Sequence, residues 1–526
     1  MKHTNGRILK MLTAAGTVVM ALGACGGGGG GASNGGSAPT GEIDTSATLR
    51  VATAAPSRNL DPYMQTSYGG RGFLTPIYDR LTMVDADDEI VPGLATDWEF
   101  VDDGSALELT LREDVSFNDG TPFDAEAVKA NIERGKTMEG STVVEDLEEI
   151  NSVEVVDDTT VRLLVDKGEG ATLPSKFATN TGMMISPAVI EAGTDIRNDP
   201  GLAGSGAYIV DTYVPQESLE LVRREGEYWD DEGGRLAGMT ITFMPEASTR
   251  INGIRTGAID VTWVSSANEI VEAQNLAQQG AYQVDEVEFR NVLGVMMRPE
   301  GALADREIRQ GVARAINPDA LSALFSETCV PFRQMEPAGS WAAADASYEY
   351  PYSFDEVEAR QLVDSAGSGT VTLSFSAGSN TEKPANVIQS QLDAVGLDAE
   401  LDPVPAQQAE PRNAAGEFQA YVSNSFSPAL DPAETVDKFV TGPYNFGNGD
   451  AEIAKLADEA ADSRLSRDER ADLYRQIWDK TLAEALFVPI CHQTNATIAS
   501  PSVVGVTEIP WVNTGIFDVR TAAIAE

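Results

Sequence analysis

One stretch, residues 77–134, limits the fold more than any other. Leu107, Leu109 and Leu111 alternate with Glu108, Thr110 and Arg112, a period of two that buries one face of a strand. Asp103-Gly104 and Asp119-Gly120 lie on either side. Such pairs supply positive φ at little cost and close turns. Thr121 fits a helix N-cap, with Pro122 at the first helical position and Asp124 in the first turn near the positive end of the dipole. From Ala125 to Arg134, Ala127, Val128 and Ile132 fall toward one side of that helix. Strand, turn, strand, turn and helix in this order belong to an α/β domain.

Taken together, Ile77-Tyr78-Asp79-Arg80-Leu81, the run from Ile90 to Glu99, Leu107 to Arg112 and Val115 to Ala125 closely resemble the solute-binding proteins of the peptide, nickel and opine importers, known as family 5. Further stretches extend the resemblance over nearly the whole chain after residue 46. They are Asn59-Leu60-Asp61-Pro62-Tyr63, Gly204-Ser205-Gly206-Ala207-Tyr208, Ser248 to Asp260 with Gly257 at the helix end, and Asp305 to Asn317. Tyr228-Trp229 fits as well, without the Asn that usually precedes it, and reads as core. The resemblance implies an α/β, two-lobed periplasmic-binding-protein-like fold of the class II or cluster C type, with an extra subdomain in the N-terminal lobe. It implies lobes that close on a small solute, and an ABC permease and ATPase as partners.

A chain of 526 residues is too long for one core. The expected organisation is a signal peptide at 1–24 and a Gly/Ser-rich tether at 25–46. Lobe I comprises 47–66, 196–292 and 498–526, an inserted subdomain II spans 67–195, and lobe III spans 293–497. Phe354 to Ala366 reads as a helix closed by Gly367. Val371 to Phe375, a helix from Ala385 to Val395 and Ala399 to Val404 have the spacing of a βαβ unit. Gln419 to Phe426 is a further strand, and Ser466-Arg467-Asp468-Glu469 is a capping box opening a long helix. Ile308, Val312 and Ile316 fall on one helical face, while Arg309 and Arg314 read as solvated or salt-bridged.

The first residues read as an export signal. Lys2, Arg7 and Lys10 precede an apolar run from Met11 to Ala24 that is too short to span a bilayer. Leu22-Gly23-Ala24-Cys25 resembles a lipobox, which implies that Cys25 is lipidated and anchors the protein outside the cytoplasm, at the cell surface or in a periplasm. Gly31-Ala32-Ser33-Asn34-Gly35 matches a nucleophile elbow only literally, since no strand or helix flanks it. The net charge is −45, from 82 acids and 37 bases. Such a surface repels nucleic acid and anionic membranes; it reads first as solubility, with a cationic solute or a salty medium as the alternatives.

The catalytic inventory is thin. After loss of the leader only His492 remains of two histidines, in no recognisable triad context. C-x-x-C, H-E-x-x-H and Walker A patterns are absent, and a metal site built from several imidazoles is excluded on count. No catalytic residue, metal or cofactor is expected. The resemblance instead points to a cleft lined by Tyr63, Trp263, Phe426, Asp431, Tyr444 and Phe446. Its Phe426 to Pro432 segment is weakened, because Pro428 stands where peptide-binding members often carry an Asp for the peptide's amine. Asp431 either substitutes or caps the following helix. Cys329 and Cys491 fall in one lobe of the family layout, and export permits a disulfide; the sequence leaves their pairing open. The implied protein is a monomer that captures a peptide or peptide-like solute. A solute-sensing lipoprotein and an exported hydrolase on the same fold are the alternatives.

Overall fold

The alternation at Leu107 to Leu111 does what its period demands. Leu107, Leu109 and Leu111 are buried and Thr110 is exposed. Their strand, Ala106–Leu111, pairs with Ala95–Val101 on one side and Thr160–Leu164 on the other. Ser152–Asp157 completes this four-stranded antiparallel sheet. The computed structural model describes residues 41–65, 68–280, 282–337, 339–345, 347–505 and 518–526. The export signal, Cys25, the tether up to residue 40 and the Gly31 to Gly35 motif lie outside them.

The helix after Asp119-Gly120 starts later than the sequence suggests. Its N-cap is Asp124, whose carboxylate accepts from the Ala127 amide, and the helix is Ala125–Thr137. Thr121 and Pro122 instead form the return limb of the turn. The Phe117 amide donates to the Thr121 carbonyl, and Pro122 bridges to Ser116. Both residues have cap chemistry, and the turn claims the first. Ala127, Val128 and Ile132 are buried together with Leu107, Leu109 and Tyr63 in one core.

A second, eleven-stranded sheet serves both lobes. Its order is Asp398–Val404, Thr370–Ser376, Ala420–Phe426, Gln283–Met297, Phe487–Ala499, Val261–Val264, Thr48–Thr53, Gly238–Phe243, Ser218–Arg223 and Tyr208–Val214, with Cys329–Pro331 paired beside Phe487–Ala499. Two long antiparallel strands, Gln283–Met297 and Phe487–Ala499, lie at its centre. Val292 to Met297 and Phe487 to Cys491 contribute to one core, with Ile308, Val312, Ile316, Leu373 and Ile388. Ala499 contributes to another, with Leu49, Val51, Tyr78, Tyr208 and Val261. Between these cores the ladder slips, from Glu288↔Thr494 to Val292↔His492 and again between Leu293 and Gly294.

The predicted βαβ unit is present. Thr370–Ser376 and Asp398–Val404 are parallel, with helix Glu382–Ala394 between them. Ser466 and Glu469 form the capping box of helix Arg467–Ala483. Arg309 takes the salt-bridged one of its two expected roles. It is 3% exposed, and it donates to the Leu303 carbonyl and pairs with Glu484, fastening its helix to the chain ahead of Phe487. Gly257 ends helix Ala247–Thr256 at φ 71°, a conformation that glycine adopts without steric cost. Gly204 has a different reason: a Cβ there would stand 1.9 Å from the Ile77 carbonyl oxygen. The two backbones meet where the Gly206 amide donates to Ile77.

The Asp79-Arg80 pair enters a buried polar network joining three distant segments. Arg80 Nη2 reaches Asp518 Oδ2 at 2.7 Å, Arg520 Nε reaches the same oxygen at 2.9 Å, and Arg520 Nη1 reaches Asp230 at 2.7 Å. Tyr228 and Ser205 both donate to Asp79. Burial opposes ionisation of Asp518, but Arg520 and Arg80 outweigh it and hold its carboxyl below the usual range. Trp229 lies between the guanidinium groups of Arg112 and Arg520, so the Tyr228-Trp229 pair is core, as read. Cys329 and Cys491 are bonded, with Cα atoms 5.4 Å apart.

Two stability outcomes are expected. Asp518→Ala leaves Arg80 buried without its anion and Arg520 with Asp230 alone, and denaturant titration should show a loss of about 3–5 kcal/mol. Reducing the Cys329–Cys491 bond frees a loop closed across 162 residues. It should lower stability by about 2–5 kcal/mol, read by the same titration with and without reductant.

Candidate functional site

In an open α/β sheet, the carboxyl ends of the parallel strands form the natural ligand crevice. Here Thr48–Thr53 runs parallel to Gly238–Phe243 and Val261–Val264, and these ends point toward the slipped part of the two crossing strands. Trp263 occupies this position. It is half-buried, and its cross-strand partner is Thr497.

The remaining predicted residues fall elsewhere. Tyr63 is fully buried in the core of the four-stranded sheet, and its hydroxyl is shared between Asn131 and the Met183 carbonyl. Phe426 and Phe446 are 0% and 1% exposed. They meet Phe439 and Phe487 in an aromatic cluster, with Phe446 and Phe487 parallel at 4.8 Å. None of the three presents surface to a solute, because the chain spends each on packing. Asp431 caps helix Pro432–Thr435 through the Ala433 amide and takes both a 2.7 Å and a 3.0 Å contact from Arg470. Capping is therefore its role, and Arg470 a partner that no local pattern announced. Tyr444 is half-buried, packs on Phe439 and donates to Glu410, which Tyr421 also reaches. Of the six, Trp263 and Tyr444 keep partly open side chains.

No sequence pattern announces a second meeting place, where segments beside the four-stranded sheet touch the part of the chain around Glu434 and Arg467. Glu434 accepts from Ser175 at 2.8 Å, Arg467 pairs with Glu89 at 2.6 Å, and the Ser463 amide donates to the Gly168 carbonyl. A cavity of about 270 Å³ lies there, bordered by Trp98, Phe100, Ser175, Trp341 and Arg467. Burial pushes the Glu434 carboxyl up to about 7, against the Ser175 hydroxyl and Lys176, which pull it down. Asp431 and Asp146 add to the rise. Glu149, Glu169, Asp437 and Asp458 line the adjoining cavity.

Nucleophilic chemistry has little to work with. His492 is buried against Phe332, with ring centres 5.3 Å apart. Among the described residues no group of three His, Cys, Asp or Glu side chains could hold a metal ion. No described helix is long and apolar enough to cross a membrane.

Two α/β lobes on one sheet, joined by a pair of crossing strands, define a two-lobed binding-protein fold. The family model for bacterial extracellular solute-binding proteins, family 5, matches residues 89–447, and the chain belongs to that family. It is 25% identical to the heme-binding protein A of Haemophilus influenzae, over 83% of this chain and 85% of that one. It is 24% identical to the glutathione-binding protein GsiB of Salmonella paratyphi A, over 88% and 92%. The solved structure of HbpA2 from Haemophilus parasuis superposes with a TM-score of 0.80 at 20% identity, covering 91% of this chain and all of that one.

The Glu434 contact generates a pH dependence. Parting the subdomain from the lobe returns its carboxyl to water and toward 4.5. The joined arrangement thus binds a proton more tightly, so joining gains as pH falls through about 7 and gains no more below 4.5. Energy transfer between dyes on the two parts should report a shorter distance on that descent, and Glu434→Gln should flatten the response.

Proposed function

We propose that this chain is the extracytoplasmic solute-binding lipoprotein of an ABC importer. It captures a small solute, peptide or peptide-like, between its lobes and hands it to the membrane permease and its ATPase. The observation that carries this reading is the slipped ladder between Glu288 and Val292. Hinges are a few residues able to absorb a large backbone change. A break in pairing between two separately packed cores places such residues on one of the two crossing strands.

Further support comes from the family, whose relatives here bind heme and glutathione, and from Leu22-Gly23-Ala24-Cys25, which fits lipid anchoring at Cys25. Lobe I, subdomain II and lobe III, at the boundaries expected above, are the working partition of the chain. Trp263 and Tyr444 are the predicted contacts retained for the solute. The same reading makes the protein a carrier that releases its solute unaltered.

A thermal-shift screen of the purified protein against peptides, amines, heme and glutathione tests it. A solute that raises the melting temperature in proportion to the logarithm of its concentration, without being consumed, is the expected result. A shift accompanied by product formation, or no shift from any class, would overturn the proposal.

A further inference from the structure

Three side chains stand in register across the centre of the shared sheet. Trp263 pairs with Thr497, and Thr497 pairs with Asp285 on its other side. Directly opposed residues share a face, and neighbouring strands lie about 4.8 Å apart, so Trp263 and Asp285 flank Thr497 in a row roughly 10 Å long. The face is fixed by the next residue along: Glu286 accepts from Gln274 of helix Ala267–Gln278. Asp285 therefore points away from that helix. The row sits at the carboxyl ends of the parallel strands, on the strand just before the slip at Glu288. Thr497 in its middle is 2% exposed, and the half-buried Asp285 and Trp263 flank it.

Asp285 is half-buried, yet among the described residues it has neither an ion pair nor a side-chain hydrogen bond. Among the described residues, the buried carboxylates Asp79 and Glu336 accept hydrogen bonds from hydroxyl groups, and four others face arginines. Asp260 has Arg50, Asp61 has Arg134, Asp431 has Arg470, and Asp518 has Arg80 and Arg520. A half-desolvated carboxylate without a counter-charge is unfavourable, and a cation brought to it recovers that cost. Burial, with the charge of Glu286 behind it, pushes the Asp285 carboxyl upward, as expected for such a group. Trp263, at the far end of the row, is half-buried and packs against the first lobe's core; an aromatic side chain at this end suits the body of a solute or its charge. The net charge of −45 draws cations toward the whole surface.

We infer that the solute carries an ammonium or guanidinium group and that Asp285 receives it, with Trp263 against the adjoining part of the solute. The inference rests on the transport reading and adds to it the charge of the cargo.

The test compares Ala-Lys-Ala with the same tripeptide acetylated on the lysine side chain, which differs in one charge. Calorimetry on the full chain should give an affinity ratio of about tenfold in favour of the charged peptide, the size expected for one charge-assisted contact. In Asp285→Asn the ratio should fall to near one, and in Glu286→Gln, on the opposite face, it should stay. A retained ratio in Asp285→Asn, or none in the unaltered protein, overturns the inference. If neither tripeptide binds, the solute found in the thermal-shift screen replaces them. A neutral or anionic solute, or a cationic one indifferent to Asp285→Asn, then overturns the inference while transport stands. Absence of any bound solute overturns both.

Discussion

Everything in this molecule hangs on the antiparallel pairing of Gln283–Met297 with Phe487–Ala499. Phe487–Ala499 has one end in each of two cores and Gln283–Met297 pairs along it, so the backbone hydrogen bonds between them belong to neither lobe alone. Such a ribbon resists stretching and shearing far more than bending. The slip at Glu288 to Val292 interrupts this ladder between the two cores. The bend proposed between the lobes falls at that local defect in pairing.

Around this ribbon the ionic network of Asp79, Arg80, Asp518 and Arg520 works in the opposite sense. It ties Arg80 to Asp518 and Arg520, far along the chain. The subdomain's contact with the other lobe is of another kind. It is a few hydrogen bonds and an exposed ion pair, and interactions of that type are individually weak. One contact is a buried ionic network, and the other a few hydrogen bonds and an exposed ion pair.

What could be read from the sequence was whatever is written locally. The alternation at Leu107 to Leu111, the Ile308, Val312 and Ile316 stripe, and the Ser466 capping box carry their own periods, and each appears where expected. The two-lobed fold followed from many short matches in order. The site residues were less legible, because burial is decided by partners far along the chain. Nothing near Phe426 tells that Phe439, Phe446 and Phe487 will enclose it, and nothing near Asp431 names Arg470. Asp285 went unnoticed for the converse reason. Its neighbours Trp263 and Thr497 come from two other strands, and their row exists only after the sheet has formed. Thr121 and Asp124 show the limit at its smallest scale: two adequate caps three residues apart, decided by which backbone the turn consumes.

The position of Phe487–Ala499 in the sequence has a bearing on the order in which the fold can form. This strand is central to the sheet, and its partners Val261–Val264 and Gln283–Met297 come far earlier in the chain. Cys491, which closes the covalent loop with Cys329, lies in the same strand. Neither lobe can complete its sheet from the residues that precede it, and contacts so distant in sequence form slowly. Closing the shared sheet is therefore a late event in folding, and both lobes wait on one strand.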